Sequence, residues 1–217
     1  MSDIFDEVDE EVRREQFKRL WERYGNLFIA LAVLIVLGVA AWRGYDYWRT
    51  KQAEQFGAQF NAAATLAEQG KHDEAEKAFA AIADKGTTGY RALAKLREAA
   101  EIEKRDPKAA VAAYDDVAHN ASVGQPLQDL AALRAGMLLV DSAPLADVDR
   151  RLAPLATGTG PFRHSAREAL AVASWKAGDI AAMRKWVKMV NDDAETPPAL
   201  RQRVDILTAL TPEGPKG

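Results

Sequence analysis

The chain has 217 residues, no cysteine, and 29 basic against 32 acidic side chains, a formal net charge of −3. The lack of cysteine excludes disulfides, cysteine-based catalysis and thiolate metal sites, and it suits an extracytoplasmic setting. The near-neutral balance offers no electrostatic case for a nucleic-acid partner.

Residues 1–11 are acidic, with Asp3, Asp6, Glu7, Asp9, Glu10 and Glu11, and read as a solvated tail. Ile4, Phe5, Val8 and Val12 stand at helical spacing within it. That spacing leaves open a short amphipathic helix docking a cytoplasmic partner. The charge then turns basic at Arg13, Arg14, Lys18, Arg19 and Arg23, interleaved with Phe17, Leu20 and Trp21. Such a stretch suits anionic headgroups.

Residues 24–42 carry no charge and are closed by Arg23 and Arg43. As a helix this run spans about 28 Å, close to the hydrocarbon thickness of a bilayer. Leu27, Leu31, Leu34 and Gly38 lie inside it, and Trp21, Tyr24, Trp42, Tyr45, Tyr47 and Trp48 flank it as aromatic belts. A retained membrane anchor is the expected reading. A cleaved signal peptide and a buried core helix are the competing ones; the long acidic start and the length of the run speak against a signal peptide. Five basic residues precede the run, while Arg43, Arg49 and Lys51 follow it. That bias predicts a cytoplasmic N-terminus and a domain outside.

After the anchor the chain reads as helix after helix, rich in alanine and without strand-like alternation. Phe56, Phe60, Ala63, Ala64 and Ala67 share one helical face over 53–69, and Gly70 ends it. Helices are expected over 73–84 with Ala75, Phe79 and Ile82 inward, and over 90–104 with Leu93, Leu96 and Ala100 inward. Asp106-Pro107 is a start signal, an N-cap followed by proline in the first turn. The helix it opens carries Ala110, Tyr114 and Val117. Further helices are expected over 126–140, 147–155, 162–176, 180–191 and 198–210, separated by Gly and Pro loops.

Ala75, Phe79 and Ile82 recur 35 residues later as Ala110, Tyr114 and Val117. Met183, Val187 and Val190 stand at the same offsets from Gly178 as the first set from Gly70. Helix pairs at a period near 34 are the tetratricopeptide signature, and another helical-hairpin array is the alternative. The unit around 145–155 reads as degenerate. The fold class is therefore all-α, a single transmembrane helix followed by a tetratricopeptide-like solenoid. The expected divisions are a cytoplasmic tail at 1–23, the anchor at 24–42, a juxtamembrane connector at 43–52, the periplasmic repeat domain at 53–210 and a flexible tail at 211–217.

With these elements in place, the chain resembles the YfgM-like family of ancillary SecYEG translocon subunits. The resemblance rests on Ala41-Trp42-Arg43 with Tyr47-Trp48 at the anchor exit, on the run from Gly89 to Leu96, and on Lys176-Ala177-Gly178-Asp179. It implies a single-pass inner-membrane protein with its C-terminal domain in the periplasm. It also implies a scaffold role beside the Sec translocon, linking emerging proteins to a periplasmic chaperone. A subunit of another inner-membrane assembly, respiratory or cell-division, is the alternative. The expected partners are the lipid bilayer and proteins, with no nucleic acid and no small-molecule substrate.

Nothing in the sequence carries chemistry. His72, His119 and His164 are far apart and have no metal-ligand spacing. There is no G-x-S-x-G, and Gly158 and Gly160 sit in a loop before Pro161. Asp115-Asp116 and Asp192-Asp193 read as solvated charge at helix ends. No enzyme activity, cofactor or metal is expected. Trp175 and Trp186 are candidate partner-facing anchors, with core packing as the alternative. The concave face of a solenoid is where an extended ligand is expected.

Overall fold

The computed structural model describes the backbone of residues 3–211, with side chains described at 18 and over 21–211. The expected amphipathic positions Ile4, Phe5, Val8 and Val12, and the expected tail beyond Thr211, lie outside those described residues. Among the described residues the structure is all-helical. The chain divides into two compact units, Met1–Glu54 and Gln55–Gly217.

The helices are α1 (Asp3–Glu68), α2 (His72–Lys85), α3 (Thr88–Ile102), α4 (Pro107–Ala118), α5 (Gln125–Leu139), α6 (Leu145–Thr157), α7 (Arg163–Lys176), α8 (Ile180–Asp192) and α9 (Pro198–Ala209). Their boundaries follow local chemistry. Asp106 accepts bonds from the Lys108 and Ala109 N–H groups at 3.0 Å, and Pro107 opens α4. Asp179 caps α8 by accepting from the Ala182 N–H at 2.9 Å.

The turns α1–α2 and α7–α8 are built alike. Gly70 and Gly178 have φ of 76° and 77°, the left-handed region open to glycine. In each turn the residue after glycine donates back to a carbonyl five positions earlier, Lys71 to Leu66 and Asp179 to Ser174. This is the double-bonded glycine stop that ends many helices.

In the second unit, three apolar clusters form one row along the helix order. The first joins Phe56, Phe60 and Ala63 of α1 to Ala75, Phe79 and Ile82 of α2 and Ala94 of α3. The second joins α3, α4 and the start of α5 around Ala99, Tyr114 and Ala131. The third joins α5 to α9 around Leu152, Leu170, Met183 and Val204. Each hairpin thus buries its face only against the next one, as in stacked repeats.

Two expectations about this core are corrected. Leu93, expected inward, is 41% exposed. Helix α3 is sandwiched, with Ala94 in the first cluster and Ala92, Leu96 and Ala99 in the second. At 100° per residue Leu93 points between those two stripes. The second correction is that the stretch expected to be degenerate is a regular repeat. Helix α6 buries Val148 and Leu152 completely. These positions lie 38 residues after Ala110 and Tyr114 and 35 before Met183 and Val187. The register is displaced by a six-residue connection between α4 and α5, residues 119–124, which carries no turn glycine like Gly70 or Gly178. Pro154 stands inside α6 without ending it.

A candidate docking groove on the odd-numbered helices

The first unit presents the expected anchor residues outward. Leu27, Leu31, Leu34 and the large apolar side chains among them are more than half exposed, and Trp42 is 73% exposed. Trp21, Tyr24, Gly38 and Arg43 are likewise exposed. That exposure removes the core-helix reading, because a core helix of this composition would be covered. Among the described residues this is the helix long and apolar enough to cross a membrane. Cations sit over the flanking aromatic rings, Arg23 at 5.7 Å from Tyr24 and Lys51 at 5.9 Å from Tyr47.

In the second unit, Ala75, Phe79, Ile82, Leu96, Ala110, Tyr114, Val117, Met183 and Val187 are all buried. Phe79 packs edge-on to Phe60 at 5.2 Å between ring centroids. The Tyr114 hydroxyl donates to Glu103 at 3.2 Å. Burial, and secondarily the Glu103 carboxylate, push its pKa up to about 12. Trp186, a candidate partner-facing residue, is 3% exposed and belongs to the core formed by α5 to α9. The α8 face that meets α7 and α9 is the face bearing Trp186, so its indole fills the core rather than facing a partner. Trp175 is exposed at the end of α7.

The remaining exposed large apolar side chains of this unit are Leu93, Met137, Ile206 and Leu210. Together with Trp175 they all fall on α3, α5, α7 and α9 or the residue capping it, and none falls on α2, α4, α6 or α8. The odd-numbered helices also adjoin one another, α3 to α5, α5 to α7 and α7 to α9. One helical layer therefore carries the unit's exposed large apolar surface among the described residues.

A groove of about 390 Å³ opens in that layer. Met137 and Val140 of the α5 end and Ala169 and Val172 of α7 form its apolar floor. Its rim is charged. Glu168 of α7 is held by Arg203 of α9, with one of the two bonds at 2.7 Å. Asp141 beside the floor is paired with Lys176. A larger hollow of about 640 Å³ lies between α4 and the end of α5, walled by Val111, Ala112, Leu138 and Leu139. Its acids are already used by the fold, Asp106 as the α4 cap and Asp115 in a two-point pair with Arg151. The smaller groove lies in the layer that carries the exposed apolar residues, and Met137 lines it.

The most strongly perturbed charges have a structural task. Asp193 accepts from Arg163 Nε at 2.9 Å and Arg167 Nη1 at 2.8 Å. Those bonds hold its carboxyl well below the ordinary carboxylate range. Arg167, itself buried, also donates to the Ala156 and Met189 carbonyls. The Thr196 hydroxyl donates to the Val190 carbonyl at 2.7 Å, so the His164 Nδ1–H donates to Thr196 at 3.0 Å. Burial and the neighbouring Arg163 guanidinium depress the His164 basicity. This network ties the α8–α9 connection to the start of α7. Asp193 and Asp115 are thus ion-paired, where solvated charge was expected. His72 pairs with the buried Glu101 at 2.7 Å.

Sequence reasoning missed Met137 and Arg203, and it read Asp193 as solvated charge. Met137 is the one large apolar side chain of α5 that is exposed, and periodicity alone does not distinguish it in a helix rich in Leu and Ala throughout.

A family described as "Tetratricopeptide repeat-like domain" matches residues 18–166. The ancillary SecYEG translocon subunit of Haemophilus influenzae is 28% identical over 130 residues. That match covers 58% of this chain and 62% of the relative, so the chain spans less than two thirds of that protein's length. No solved structure gives a significant match. The all-helical repeat fold and the resemblance to ancillary translocon subunits read from the sequence are both borne out.

Proposed function

Since the chain belongs to the tetratricopeptide repeat-like domain family, we propose that it is a membrane-anchored, non-enzymatic scaffold acting beside the Sec translocon. In this reading residues 24–42 cross the inner membrane, 1–23 stay in the cytoplasm, 43–52 lie among the outer headgroups and 53–210 work in the periplasm. The odd-numbered layer of the repeat domain holds segments of emerging proteins and passes them to periplasmic chaperones.

The observation that carries the reading is the union, in one chain, of an outward-facing apolar helix and a repeat domain with its exposed apolar residues gathered on one layer. A soluble repeat domain gains little from exposing Met137, Ile206 and Leu210 unless a partner covers them. A membrane helix confines that surface to the bilayer, where weak contacts gain from high local concentration. The name of the Haemophilus influenzae relative supports the translocon as neighbour.

The test is purification of the full-length chain from native membranes in mild detergent. Translocon subunits and a periplasmic chaperone are expected to accompany it. Exchange of 24–42 for an unrelated membrane helix should reduce the translocon share. A reporter joined after Gly217 should be active in the periplasm. Recovery of a different inner-membrane complex in place of the translocon refutes the reading, and cytoplasmic reporter activity refutes the orientation.

A further inference from the structure

We infer that the odd-numbered layer selects extended polypeptide segments in which acidic residues stand beside apolar ones. The inference rests on the docking reading of the same surface and adds the chemistry of what docks.

The argument begins with side-chain spacing. Each odd-numbered helix from α3 to α9 places a basic residue one turn from an apolar one. Leu93 and Arg97 are four apart on α3, and Arg134 and Met137 are three apart on α5. Val172 and Lys176 are four apart on α7, and Arg203 and Ile206 three apart on α9. Residues three or four apart share a helix face. The layer therefore repeats an apolar and a cationic position across four neighbouring helices.

The acids of that layer cancel two of the four cations, Lys176 and Arg203, and leave the other two. Asp141 is engaged by Lys176 and Glu168 by Arg203. Arg97 and Arg134 are both exposed, and among the described residues neither forms an ion pair. The Arg97 guanidinium is held 5.8 Å over the Phe79 ring, which limits the freedom it loses on meeting a ligand. Two exposed cations beside Leu93 and Met137 thus face whatever occupies the layer. An acidic segment complements them, while a basic one meets like charge. Met137 contributes tolerance, because an unbranched thioether adapts to differently shaped apolar side chains.

The experiment uses the full-length chain in lipid nanodiscs and two fluorescent unfolded peptides of identical apolar content. One peptide carries acidic residues beside its apolar positions and the other carries basic ones. The acidic peptide should bind about tenfold more tightly at low salt, the effect of two rim charges, and the preference should shrink as salt rises. The double variant R97E/R134E, at two exposed positions, should reverse the preference. Met137→Gln should weaken both peptides alike. Equal binding of the two peptides to the unaltered chain, with both weakened by Met137→Gln, overturns the charge selection and leaves the groove standing. No specific binding of either peptide, and no effect of Met137→Gln, overturns the docking reading and this inference with it.

Discussion

The close approach of α5 and α6 allows a sharp test of the repeat register. Gly136 is buried in the last turn of α5. A Cβ added there would lie 2.6 Å from Leu152 Cγ and closer still to its Cδ2. Leu152 is 0% exposed, so it has no free space to retreat into. Two effects oppose each other in Gly136→Ala. Alanine favours the helix by up to about 1 kcal/mol over glycine. Overpacking a filled interior costs about 1–3 kcal/mol, and the contact here is too short to relax by a few tenths of an ångström. The clash should win, with a net loss of about 1–2 kcal/mol. Chemical denaturation of the full-length chain in detergent, followed by circular dichroism, measures it. Leu152→Ala alone should lose about 2–5 kcal/mol. The double variant should lose less than the sum, because the shortened side chain makes room for the new methyl. A neutral or stabilising Gly136→Ala would refute the α5–α6 contact and the placement of α6 as the third repeat.

Other substitutions and conditions probe the same core. Phe79→Ala should destabilise the repeat unit by about 3–5 kcal/mol, since its ring is fully covered and edge-on to Phe60; a loss below about 1 kcal/mol would place that ring at the surface. Trp186→Ala should cost about 3–5 kcal/mol in the same assay and Trp175→Ala less than about 1 kcal/mol, and equal losses would contradict their different burial. Acid should act in two steps. The His164 basicity is depressed below the ordinary 6.5 by burial and Arg163, so below that pH the unfolded chain takes up a proton that the folded chain refuses, and stability falls. Asp193 is depressed below its ordinary 3.8 by Arg163 and Arg167, so its contribution is complete above that pH and lost beneath it. Denaturation midpoints should be level above about pH 7 and fall in these two windows, with His164→Gln removing the first step; a level profile down to pH 5 in the unaltered chain would refute the His164 assignment.

Much of this architecture is legible in the amino-acid order because it is decided locally. The uncharged run over 24–42 has the length of a bilayer crossing whatever surrounds it. Gly70 and Gly178 stop helices through a backbone conformation that other residues resist, and Asp106-Pro107 starts one with its own side chain. The 35-residue recurrence of Ala75, Phe79 and Ile82 reports one face of one helix meeting its hairpin partner.

What the order of residues leaves undetermined is which of several apolar faces meets a neighbour. A helix inside a stack buries more than one stripe, and alanine, abundant here, marks no direction. For that reason Leu93 reads as inward although it lies between two buried stripes of α3. Trp175 and Trp186 read alike, yet the packing of α7, α8 and α9 covers one and leaves the other at the surface. The groove beneath Met137 and the arginines around Asp193 join residues of different helices, 30 or more positions apart for Arg163 with Asp193 and for Glu168 with Arg203. Such pairings depend on how hairpins stack, and stacking is set by the fit of side-chain volumes across helices rather than by the period along any one of them.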